Sequence, residues 1–149
     1  MRNLAYYRAA WDGKNFGIPA SEFNKTVNNN FIDVCVLEWC KLFGEHKEPH
    51  HWKNIVKNKV SFKSGLLNCL GTDSKGLEDY WNTLRTYRDT FVAHLDSAEI
   101  MQIPKMDWAY KSFHYYFEQI NIEHQTGIDL NLYYQKCESD AKTIYAIRV

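Results

Sequence analysis

The chain has 149 residues, is 45% hydrophobic and 15% aromatic, and balances 18 basic residues against 18 acidic ones. That much apolar material excludes a disordered chain and suits one ordinary domain. Zero net charge speaks against a protein that holds nucleic acid mainly by neutralising phosphates.

Seven Gly and three Pro are few, and the periodic positions carry Leu, Tyr, Trp, Phe and Ala. The expected fold class is therefore all-α, a single bundle of about five to six helices. Residues 1–20 read as an N-terminal anchoring segment, with Leu4, Tyr7 and Trp11 at helical spacing and Gly13, Gly17 and Pro19 breaking the pattern. The bundle is expected over residues 21–149. Its first helix should start at Ser21, whose hydroxyl can cap the next turn, and stop at Gly44, read as a left-handed C-terminal residue. The stripe Phe23, Val27, Phe31, Val34, Cys35 and Leu42 marks its inner face. Glu38 falls on that stripe, where a buried carboxylate would need a partner.

A short helix is expected from Trp52 to Lys57 and another from Phe62 to Leu70, ending at Gly71. The strongest pattern runs from Lys75 or Gly76 to Leu95, with Tyr80, Leu84, Tyr87 or Arg88, Phe91 and Leu95 facing inward. Pro104 is placed in the first turn of a further helix that carries Trp108, Phe113, Tyr116, Phe117 and Ile120. After Gly127, a last amphipathic helix is expected over about 129–147, with Leu130, Tyr133 or Tyr134, Cys137, Ala141 and Ile144 inward.

Local charge is less even than the total. Residues 41–63 hold six Lys against Glu45 and Glu48, and residues 64–101 hold six acids against Lys75, Arg85 and Arg88. The lysine run reads as a solvated face or as a landing strip for a polyanion. The four Cys (35, 40, 69, 137) show no CxxC pair or metal-finger spacing, the pattern of reduced thiols in a cytoplasmic protein. His46, His50 and His51 gather near Glu45 and Glu48, but Pro49 interrupts helical ligand spacing, so no metal is expected. A Gly-rich phosphate loop, GxSxG and HExxH are all absent, and no cofactor is implied. No run of 18 apolar residues suggests a membrane span, and the first residues do not read as a secretory signal.

Arg88 and His94 are the residues whose chemistry stands out. A guanidinium fits phosphate oxygens with its planar fork, and an imidazole moves a proton near neutral pH. Six residues apart on one α-helix, they lie ~120° apart around the axis and ~9 Å apart along it. They can share a ligand if Arg88 reaches over the turn, if the helix ends at His94, or if two copies of the helix meet across a twofold axis. The alternatives are structural: a helix-terminal His94 bonding free carbonyls, and an Arg88 ion-paired with Asp89 or Glu38.

The run Leu84-Arg85-Thr86-Tyr87-Arg88-Asp89-Thr90-Phe91-Val92-Ala93-His94-Leu95-Asp96 resembles the signature helix of the HEPN superfamily. In that pattern an Arg is followed by Asn, Asp or His, then by variable residues and a His. The ending Ala93-His94-Leu95-Asp96, and the segment Leu37-Glu38-Trp39-Cys40-Lys41-Leu42-Phe43-Gly44, are similar to HEPN-like proteins associated with phage abortive infection. The resemblance covers about residues 20–145. It implies a helical bundle with the motif helix at its centre and a homodimer that brings two motifs together. It implies one of two functions: a metal-independent endoribonuclease of toxin or phage-defence type, or an inactive helical module that binds a nucleotide, a nucleic acid or a protein partner.

In the first case RNA is the substrate and an antitoxin or defence protein is a partner. Arg88 and His94 are the catalytic pair, and Asp89 or Glu38 orients them. The sequence departs from one subgroup. Toxins paired with a nucleotidyltransferase antitoxin carry Tyr two residues after the motif His, and Asp96 stands there instead, so regulation through that Tyr is not expected.

Overall fold

The computed structural model describes residues 2–10, 21–44, 47, 49–92 and 103–146. The described residues form seven α-helices and two π-helical turns and contain no strand, which makes the chain all-α. The helices are α1 (Arg2–Ala9), α2 (Glu22–Trp39), α3 (Trp52–Ile55), α4 (Lys59–Leu70), α5 (Ser74–Tyr87), α6 (Asp107–His124) and α7 (Leu130–Ala146). The π-helical turns, Cys40–Gly44 and Arg88–Val92, continue α2 and α5. None of these helices is long and apolar enough to cross a membrane. The chain divides into two compact units, residues 36–128 and residues 1–35 with 129–149.

Short polar side chains start most helices, because they can take up backbone N–H groups that have no partner inside the helix. Ser21 Oγ accepts from Asn24 N–H, Asn58 Oδ1 from Ser61 N–H, Asp73 Oδ1 from Gly76 N–H and Asp129 Oδ1 from Leu132 N–H. Helix α4 stops at Gly71, at φ 67°, in the left-handed region. Helix α6 starts later than expected. Pro104 lies in the non-helical approach, and Met106 at the N-cap offers no side-chain bond. Tyr80 supplies the bond instead: its hydroxyl accepts from Ala109 N–H at 3.1 Å and donates to Lys105 O at 2.8 Å. Burial pushes this phenol well above its ordinary pKa, so it stays a donor at any working pH.

The core of the 36–128 unit is aromatic. Trp39 stacks on Phe43 with centroids 5.3 Å apart and meets Tyr80 edge-on. Its indole N–H donates to Ser112 Oγ at 2.7 Å, and that hydroxyl donates to Ala109 O. Phe43 packs against Phe113 and Tyr116. Phe62 of α4 packs between Trp52 and the Tyr115–Tyr116 pair of α6. Gly65 has no room for a Cβ, because the Tyr115 hydroxyl occupies that place.

In the other unit α1 packs along α7, with Leu4, Ala5, Tyr134, Cys137 and Ala141 buried and Tyr6 against Phe31. Asn28 is buried, and its Oδ1 has no hydrogen-bond partner among the described residues.

The inner face of α2 is rotated from the one expected. Asn28, Ile32, Cys35, Val36 and Trp39 are buried, whereas Phe23 and Val34 are exposed. Glu38 therefore lies on the outer side, half exposed and paired with Lys41 at 3.1 Å. It needs no buried partner.

Candidate functional site

Helix α5 is strongly two-faced: Leu84 and Tyr87 are buried, while Lys75, Asp79 and Arg85 are exposed. Regular α-helix ends at Tyr87, and Arg88 opens the π-helical turn Arg88–Val92. The expectation of unbroken α-helix to Leu95 therefore fails at Arg88. The i→i+5 pattern is wider than an α-turn and recurs at functional positions. His94 itself, with the rest of 93–102, lies outside the described residues.

The guanidinium of Arg88 is only 20% exposed and is held by its neighbour. Its Nε donates to Asp89 Oδ1 at 2.8 Å, and Nη2 reaches the same oxygen at 2.8 Å. The other carboxylate oxygen, Oδ2, faces Arg85 Nε at 3.4 Å. Arg85 in turn lies over the Trp81 ring, 5.3 Å from its centroid. Trp81 and Arg85 of α5 and Asp89 of the π-helical turn recur at every fourth position and form one row, with Arg88 bonded to its last member. The hydrogen bond from Arg88 holds the Asp89 carboxyl below its ordinary value, and Arg85 adds to the effect.

The structure thus joins Arg88 to Asp89, one of the two partners the sequence offers. Glu38 is not joined to them: among the described residues its ion pair is with Lys41. Arg85 is the site residue that the sequence reading misses, although its spacing from Asp89 is readable as an i,i+4 pair. A half-buried arginine fork fixed by a carboxylate has little freedom left to lose when it meets a phosphate, and it presents several N–H donors from one plane.

Two other histidines, His51 and His114, have structural places. His51 is fully buried, and its Nδ1 accepts from Lys53 N–H at 3.2 Å as the cap of α3. His114 pairs with Glu118 at 3.1 Å along α6. Among the described residues no group of His, Cys, Asp and Glu is arranged to hold a metal ion. His46, Glu45 and Glu48 of the histidine-rich loop lie outside them.

No family model matches this chain, and neither a curated protein nor a solved structure matches it.

Proposed function

We propose that this chain is a HEPN-like, metal-independent endoribonuclease of toxin or phage-defence type, working in the cytoplasm as a homodimer whose two motif helices build one composite site. The observation that carries this reading is the carboxylate-held Arg88 at the opening of the π-helical turn. In this reading His94 takes the proton from an RNA 2′-hydroxyl. The freed oxygen attacks the adjacent phosphorus, and the bond to the 5′-oxygen breaks. His94 of the partner subunit returns a proton to that leaving oxygen. The products are a 2′,3′-cyclic phosphate and a 5′-hydroxyl. Arg88 binds the phosphate oxygens as charge grows on them, and Asp89 keeps the guanidinium plane in place.

The test is RNA cleavage in EDTA by the wild-type chain, Arg88→Ala and His94→Ala. Loss of a general base costs ~10²–10⁴-fold, and loss of one charge-stabilising donor ~10²–10³-fold. Products should carry cyclic phosphate ends. Cleavage that requires a divalent cation, or that persists in His94→Ala, removes the mechanism.

A second reading is an inactive HEPN-like module that binds a nucleotide, a nucleic acid or a protein. The observation that favours it is the same ion pair, since Asp89 already occupies Arg88 within one chain. Binding of RNA without any cleavage product selects this reading over the first.

A further inference from the structure

A cleft of about 330 Å³ opens in the 36–128 unit, away from the Arg88–Asp89 pair but on the same helix. Trp52, Trp81 and Phe43 give it aromatic walls, and Lys53, Lys63 and Glu78 stand around it. Trp52 is held from behind by stacking on Phe62, with centroids 4.9 Å apart. Trp81 lies so close to the chain at Gly44 that a Cβ there would fall 2.6 Å from its indole nitrogen. Both rings are therefore placed by the fold before any ligand arrives. The cleft is open to solvent, with aromatic walls and charged side chains among its lining residues.

Charge decides the occupant. Aromatic walls with one carboxylate would suit a quaternary ammonium, but the indoles already carry cations of this chain. Lys53 Nζ lies 5.6 Å from the Trp52 centroid, and Arg85 lies over Trp81. A further cation would meet Lys53 and Lys63 as well. Two ammonium groups against one carboxylate, beside two indoles, fit a flat neutral ring that bears an anionic group. The local excess of lysine in residues 41–63 supplies both of these ammonium groups.

The geometry points to a nucleotide-holding cleft for single-stranded RNA, in which one base packs against the indole of Trp81, the less buried of the two, and its phosphate is met by Lys53 and Lys63. Glu78, which also lines the cleft, supplies a carboxylate acceptor for base N–H groups. This inference rests on the RNA reading above and names the part of the site that grips the strand. Trp81 and Arg88 are seven residues apart, ~10 Å along α5. The Arg85 and Asp89 side chains join them. A strand held at Trp81 therefore runs beside the phosphate clamp.

The experiment has two readouts on the full chain. In the first, 5′-AMP is titrated while tryptophan emission is followed, with inorganic phosphate and choline as comparison probes. Quenching by AMP that disappears in Trp81→Phe supports the cleft. Equal quenching by phosphate alone, or quenching by choline in place of AMP, overturns it. In the second, a labelled single-stranded oligoadenylate is bound to His94→Ala, and the affinity is compared with the same protein carrying Lys53→Ala and Lys63→Ala. Affinity should fall about tenfold or more, and the salt slope should flatten by ~0.7 for each phosphate no longer neutralised. Unchanged affinity and slope overturn the cleft, whatever the cleavage assay gives. AMP bound at Trp81 with no RNA cleavage by the wild-type chain overturns the ribonuclease and leaves the cleft.

Discussion

Asp89 sits between two guanidinium groups, and its behaviour with pH follows from that. Its carboxyl is held low first by the hydrogen bond from Arg88 and then by Arg85. The folded-state value lies below the unfolded one, so the stabilisation is fully present above the ordinary carboxylate value of ~3.9. It is lost as pH falls through the lower folded value. Asp89 is 46% exposed, so solvent screening keeps its worth to about 1 kcal/mol or less. Urea midpoints of Asp89→Asn should accordingly lie slightly below wild type near neutrality and converge with it in acid. A gap that widens in acid contradicts the assignment. Ser112 gives the opposite kind of test. It is fully buried and is the acceptor for the Trp39 indole N–H. Ser112→Ala leaves that donor unsatisfied and should cost ~1–3 kcal/mol in denaturant unfolding. Arg88 and Asp89 are legible because they are sequence neighbours of complementary charge. Glu38 is misread because three successive asparagines, Asn28 to Asn30, blur the periodicity of α2. The buried face includes one of them, Asn28, and a stripe drawn from apolar residues alone slides around the helix.

Among the elements, the end of α4 at Gly71 is readable from its left-handed glycine, whereas its start at Lys59, capped by Asn58, comes three residues before the expected Phe62. Asn58, Asp73 and Gly71 bracket α4 and open α5. Gly71 has positive φ and open space where a Cβ would sit, so Gly71→Ala should cost only the backbone penalty, about 1 kcal/mol. Gly44 is a different case. The sequence suggests a left-handed stop there, yet among the described residues the glycines with positive φ are Gly71 and Gly127. Gly44 is small because Trp81 needs the space. Gly44→Ala should displace the indole, which a shifted tryptophan emission maximum would report, with far-UV circular dichroism retained. The two π-helical turns leave no trace in the sequence. Their residues keep ordinary helical composition, and the first of them, Cys40–Gly44, is set against α5. Hydrophobic period cannot show such a widening over five residues.

At the scale of the whole molecule, the all-α class is legible from composition and period. The pairing of remote helices is not. Helix α1 packs along α7, more than 120 residues later in the chain, and nothing in either segment names the other. Removing residues 129–149 should strip hydrogen-exchange protection from the α1 amides, since Leu4 and Ala5 lose the helix packed against them. Retained protection would show that α1 is held elsewhere. Within the 36–128 unit, the Tyr80 hydroxyl has a kinetic consequence. Most helices here carry their own starting signal within three residues, so their first turns can form alone. Helix α6 borrows its signal from a residue 29 positions upstream. Its opening turn is thus a late arrival, firm only once α5 has docked, and its exchange rates serve as a clock for assembly of the unit.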